Sequence, residues 1–208
     1  MFHLHGFVTQ NTLKTLYVLE EAGADYEFHF VNLGKGEQKS EAFASKTPMG
    51  KVPLLEHDGE HLFESGAICR YVANVVDSPL YPADKMQRAQ VDQWIDYFSC
   101  HLGRWMTTLY FDGVIRPKFG LGDSDEAAVA EATKFANIQL GILDRLLAES
   151  DWLANNALSI ADLFAFACVE QYRDIEFSID DYSNVMAWCD RVEALKSIEN
   201  ARSKLPTL

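Results

Sequence analysis

Basic charge is what this 208-residue chain has least of. Its 18 Lys and Arg stand against 31 Asp and Glu, leaving a net charge of −13. Nucleic-acid phosphates demand clustered Lys and Arg, so this balance excludes nucleic acid as a partner. No apolar run approaches the roughly 20 residues that span a bilayer. The first residues also lack a charged-then-apolar leader, so the expectation is a soluble cytoplasmic protein with no membrane partner. Cysteine is scattered. Cys69, Cys100, Cys168 and Cys189 form no CxxC pair, which excludes a dithiol redox motif and predicts buried free thiols in a reducing compartment. The six histidines show no ligand spacing. His57 and His61 flank a turn as exposed cross-strand neighbours, and no metal is expected. Repeats and low-complexity segments are absent.

What is present suits a filled core: 48% hydrophobic and 12% aromatic residues. Phe2–Phe7 and Tyr26–Val31 alternate as half-buried strands do, with an apolar helical stripe at Leu13, Leu16 and Tyr17 between them and Gly23 as its stop. A loop at Gly34–Lys39 and a short helix near Ser40–Ala44 follow. Asp58-Gly59 is the strongest short hairpin signal, and Ser65 caps a helix carrying Ile68, Val72, Val75 and Val76. This βαβ-ββα order is thioredoxin-like and occupies residues 1–77. Ser78–Asp84 reads as a linker, and residues 85–208 read as all-helical, giving an α+β chain of two domains. One long helix is expected over Lys85–Tyr110, broken by Phe111–Asp123. A second takes its apolar face from Phe135, Ile138, Ile142, Leu143 and Leu146. Ser159-Ile160-Ala161-Asp162 is a capping box opening Leu163–Val169, and a last helix carries Val185, Trp188, Val192 and Leu195.

A proline inside a strand cannot donate to the ladder and belongs on an edge or at a bulge; a cis Val52–Pro53 bond is a further explanation, which the residues alone do not establish. The ordered run TPMGKVPLL, the DG hairpin, ESGAI and the later SIAD resemble the glutathione S-transferase superfamily over nearly the whole chain. That resemblance implies a cis-proline opening a strand, glutathione as co-substrate, no metal, a homodimer and a role in detoxification. It implies that Val52 pairs with the cysteinyl part of the tripeptide as an added strand. Glu64 and Ser65, at a helix mouth with unsatisfied N–H groups, would hold the γ-glutamyl ammonium and carboxylate. Lys51 would reach the glycyl carboxylate, with Gln38 and Lys39 serving the same end from a loop. Arg104 and Tyr110 are candidates for the co-substrate contacts.

Family members place Tyr, Ser or Cys after the first strand to bind sulfur, whereas residues 6–12 read GFVTQNT and hold none of these. Thr9 and Asn11 form a T-x-N pattern similar to the bacterial nu-type transferases. Lowering a cysteinyl thiol by about two units from 8.5 takes roughly 2.7 kcal/mol. One hydrogen bond to the charged form supplies about 1.5–3 kcal/mol, and a helix end roughly 0.3–1 kcal/mol. No general base is therefore required. Thr9, Asn11 and Thr12 compete for the helix cap, which leaves the activator open among them. The function this implies is transfer of glutathione to an electrophile or disulfide. The alternatives are glutathione-dependent reduction of disulfides or peroxides and a non-catalytic binding protein.

Overall fold

The computed structural model describes residues 1–206, which divide into two compact units. The first begins with β1 (Phe2–Gly6), α1 (Gln10–Glu21), β2 (Tyr26–Phe30) and α2 (Glu41–Ala44). It continues with β3 (Leu54–His57), β4 (Glu60–Phe63) and α3 (Ser65–Val75). The sheet order is β2-β1-β3-β4, with β1 parallel to β2 and antiparallel to β3, and β3 antiparallel to β4. Phe2, Leu4 and Gly6 of β1 are buried, while His3 and His5 take the other face. Leu4, Leu16, Leu19, Ile68 and Val72 are core residues beneath α1 and α3. A Cβ on Gly6 would stand 2.4 Å from the Thr12 Cγ2, so only glycine lets the first turn of α1 come this close to the strand. Val31, Phe43 and Leu54 form a smaller cluster with α2.

Asp58 and Gly59 both have positive φ, 51° and 82°, as a two-residue hairpin turn demands. The register sets His57 against Glu60 and His61 against Glu56, which sends the two histidines to opposite faces. They are not cross-strand neighbours. His57 is half-buried on the Phe2 ring at 4.2 Å and bonds the Tyr71 hydroxyl at 2.9 Å. Ser65 is not the cap of α3 either. Glu64 holds that position, and Ser65 is the first helical residue.

The second unit, Ala83–Ala194, contains α4 (Lys85–Cys100), α5 (Leu102–Tyr110), α6 (Arg116–Phe119), α7 (Glu126–Leu147), α8 (Ile160–Val169) and α9 (Ser183–Glu193). The single helix expected over 85–110 is broken at His101, whose φ of −118° and ψ of −94° are not helical. Gly103 permits the break, because a Cβ there would meet the Phe98 carbonyl oxygen at 2.2 Å. Conversely, the expected break after Tyr110 is partly bridged by a π-turn at Phe111–Ile115, and the chain stops turning only at Gly120, with φ of 60°. On α7 the buried stripe is Ala132, Ala136, Leu140, Leu143 and Leu147, while Ile138 and Leu146 are exposed. Ala132 and Ala136, less conspicuous than Phe135 or Ile138, are fully buried. Among the described residues no helix is long and apolar enough to cross a membrane.

Every residue of α8 is buried. The Asp162 carboxylate accepts from the Ser159 N–H and hydroxyl, completing the expected capping box, and from Leu153 N–H at 2.9 Å and the Trp188 indole at 3.0 Å. Cys69, Cys168 and Cys189 are buried free thiols as expected, but Cys100 is exposed. Past α9 the sequence reading missed a short helix, α10 (Lys196–Ser203), with only Ser197, Ile198 and Ala201 buried. It packs against α1 and so belongs to the first unit rather than to a helical domain running on to residue 208.

Candidate active site

A cavity of about 180 Å³ in the first unit is lined by Asn11, Thr47, Met49, Lys51, Val52, Pro53, Phe63, Glu64 and Ser65. Three stretches distant in sequence meet there: the start of α1, the loop entering β3, and the junction of β4 with α3. The Val52–Pro53 bond is cis. Val52 precedes β3 and lies outside its ladder, and its peptide groups take no partner among the described residues. A backbone edge is thus presented to the cavity.

At the second wall Glu64 has φ of 69° and ψ of 113°, a conformation that residues with a Cβ rarely adopt. Its carbonyl accepts the Ile68 N–H at 3.0 Å, while its side chain makes no capping bond. Ser65 is 9% exposed, with a hydroxyl that has no partner among the described residues. The N–H groups of the first turn of α3 and the positive end of its dipole suit an anion at this point.

At the third wall the N-cap of α1 is Thr9, whose side chain accepts the Thr12 N–H at 3.3 Å. The two hydroxyls are 3.1 Å apart, and the Thr12 oxygen accepts the Phe7 N–H at 3.2 Å. If Thr12 donates to Thr9, the Thr9 proton is left to bond elsewhere. Thr9 is not among the lining residues, whereas Asn11 is. The Asn11 side-chain oxygen accepts from the Lys14 ammonium at 2.9 Å, which leaves its NH₂ group as a donor. Lys14 is 5% exposed, a buried cation beside the cavity that the sequence reading passed over. Its signal was a lysine within the apolar stripe of α1.

Lys51 lines the cavity and is exposed. Gln38 and Lys39 are not among the lining residues. The Gln38 backbone oxygen lies beside Gly50, its side-chain oxygen is buried without a hydrogen-bond partner, and Lys39 is exposed. In the second unit the Arg104 guanidinium sits 4.6 Å above the Trp105 ring. Tyr110 is half-buried, and burial, reinforced by Asp174, pushes its hydroxyl pKa up.

The sequence matches the family described as glutathione S-transferase, N-terminal domain, over residues 1–74, and the corresponding C-terminal domain over residues 101–196. Glutathione S-transferase F14 of Arabidopsis thaliana is 32% identical, over 90% of this chain and 77% of that protein. A probable glutathione S-transferase of Oryza sativa, GSTF2, is 30% identical, over 93% of this chain and 91% of that one. The solved structure of a glutathione S-transferase-I bound with lactoylglutathione superposes with a TM-score of 0.88 at 28% identity, covering 97% of this chain and 98% of the other.

Proposed function

The chain belongs to the glutathione S-transferase family and is a glutathione transferase; from that premise we propose that its cavity holds glutathione as the thiolate and delivers the sulfur to an electrophilic or disulfide co-substrate. The observation that carries this reading is the convergence of the free Val52 backbone, the Glu64-Ser65 helix mouth and the Asn11 amide on one cavity. In the proposal the Ser65 hydroxyl and N–H bind the γ-glutamyl carboxylate, and Glu64 faces the neighbouring ammonium. Val52 pairs with the cysteinyl residue as an added strand. Lys51 meets the glycyl carboxylate, with Gln38 and Lys39 as outlying contributors. The Asn11 NH₂ is the first donor to sulfur and the Thr9 hydroxyl the second, with the α1 terminus and the Lys14 charge adding to the field. These terms together reach the roughly 2.7 kcal/mol that a two-unit depression requires.

Conjugation then forms a bond from sulfur to carbon and expels the leaving group. Reduction instead forms a sulfur–sulfur bond and expels a thiolate. The T-x-N segment favours the second outcome, as part of the same proposal. Arg104 and Tyr110 are proposed as co-substrate contacts, and detoxification in the cytoplasm as the setting. A homodimer is also proposed, supported by exposed Ile138 and Leu146 of α7 and by a groove of about 610 Å³ walled by Trp94, Tyr97, Ile142 and Leu146.

The test is calorimetry with glutathione, then assays with a chloronitroarene and with a glutathione mixed disulfide. The proposal expects binding together with turnover of at least one substrate. Binding without turnover of either would support the non-catalytic reading, which the lack of Tyr, Ser or Cys at 6–12 favours. No heat at millimolar glutathione would overturn both.

A further inference from the structure

The sheet face turned away from α1 and α3 gathers imidazoles that are scattered in the sequence. Parallel register sets His3 beside Glu27 and His5 beside His29, and the two-residue pleat sends all four side chains to one side. Three of their atoms converge. His3 Nδ1 is 3.1 Å from His29 Nε2 and 3.5 Å from Glu27 Oε2, and His29 Nε2 is 3.8 Å from the same oxygen. All three groups can offer lone pairs, and a hydrogen bond across the 3.1 Å between the two ring nitrogens has one of them accepting already.

The spacing suits a metal ion. Ligands about 2.1 Å from a tetrahedral centre are roughly 3.4 Å apart, and zinc bonds to imidazole nitrogen and carboxylate oxygen have about that length. Octahedral ligands at the same bond length would be only about 3.0 Å apart, so the triangle fits the tetrahedral case better. We propose that His3 Nδ1, His29 Nε2 and Glu27 Oε2 form a site for a zinc-class divalent cation, with water as the fourth ligand.

Strand register already places the ligands, so binding requires little rearrangement. The His29 ring is stacked on His5 at 4.7 Å, and the edge of Phe43 backs His5 at 6.3 Å, which fixes the imidazole planes. Side-chain exposures of 33% for His3, 34% for His29 and 57% for Glu27 leave the fourth position open to solvent. Glu56, the other carboxylate on this face, is paired with Lys46 at 2.8 Å and does not compete. The bound ion would tie the edge strand β2 to its inner neighbour β1.

The test uses the untagged, metal-stripped full chain without glutathione, whose thiol itself binds zinc. Zinc is titrated by calorimetry, and Co²⁺ serves as a visible-absorption probe of tetrahedral geometry. One equivalent of zinc, intense cobalt bands and a zinc-dependent rise in Tm are expected. Glu27→Gln and His29→Gln should each weaken binding by about 10- to 100-fold or more. Glu27→Gln removes an exposed ligand and leaves the imidazole pair in place, so it covers the case in which His29→Gln misfolds. Cys100→Ser and His101→Gln, on the second unit, should change nothing. The proposal is overturned if zinc in large excess gives no heat, if Glu27→Gln binds like the parent, or if the bound equivalent disappears with Cys100 or His101.

Discussion

The Thr9 hydroxyl oxygen accepts the backbone N–H of Thr12 and stands 3.1 Å from its hydroxyl, so α1 starts on a pair of threonines. Losing such a cap costs about 1 kcal/mol. Thr9→Ala is therefore expected to lower stability by that amount, with Thr9→Ser near the parent. Asn11→Ala, which removes the donor that lines the cavity and also an acceptor of the buried Lys14 ammonium, should lower kcat/KM by about 10- to 100-fold and cost about 1–3 kcal/mol of stability as well. Urea unfolding and steady-state kinetics on the same three variants separate the roles. A larger kinetic loss for Thr9→Ala would reverse the order of the two donors.

Glu64 is held at φ of 69°, a conformation that costs a residue with a Cβ on the order of 1–3 kcal/mol. Glu64→Gly should raise the unfolding free energy by about 1 kcal/mol while weakening glutathione binding. Glu64→Ala should weaken binding with no such gain. Ser65→Ala is expected to lower affinity about tenfold through one charge-assisted hydrogen bond. Chemical denaturation and glutathione titration check all three.

Asp162 is buried, and its carboxylate serves donors from Leu153, Ser159 and Trp188. Asp162→Asn keeps the volume but turns an amide nitrogen toward some of those donors. A loss of about 3–5 kcal/mol is expected, as for other broken buried charged networks. It should appear in the unfolding midpoint of α8 and α9 signals, including Trp188 fluorescence. A loss under about 1 kcal/mol would mean that the network contributes little net stability.

Asp112 gives a pH test. The Ser124 hydroxyl first, then the Asp125 N–H and the Arg116 guanidinium, hold its carboxyl below the ordinary 3.8. A depressed carboxyl stabilises the folded state above the unfolded pKa, and that contribution is lost as pH falls through the lower folded value. The stability gap between the parent and Asp112→Asn should thus be full above pH 3.8 and close on further acidification. Thermal melts across that range measure it. A gap that persists at the acid end would assign the difference to hydrogen-bond geometry rather than to charge.

Local signals carried the sheet. Asp58-Gly59 specified the hairpin and Ser159 with Asp162 specified the α8 cap, while the cis bond at Pro53 in the cavity wall was expected from the family resemblance rather than from local signals. What stayed hidden depends on contacts between segments. The break at His101 follows from Gly103 against the Phe98 carbonyl, which no helical periodicity reveals. The buried face of α7 includes Ala132 and Ala136 beside Leu140, Leu143 and Leu147, and the weak apolar signal of the two alanines lost to the louder Phe135, Ile138 and Leu146. His3, Glu27 and His29 lack any spacing signature because the parallel register of two strands brings them together. Of the residues lining the cavity, Lys51, Val52, Pro53, Glu64, Ser65 and Asn11 were singled out from their order along the chain, while Lys14, bonded to Asn11, was not.

The return of α10 to α1 makes the first unit discontinuous, with the helical unit as an insertion between residues 82 and 195. Cutting the gene after residue 82 would strip α1 of its cover and leave Ile198 and Ala201 behind on the other piece. Residues 83–194, by contrast, form an uninterrupted stretch that excision leaves whole. Anyone seeking the unit that holds the candidate cavity in isolation would do better to splice a short bridge across that gap than to truncate.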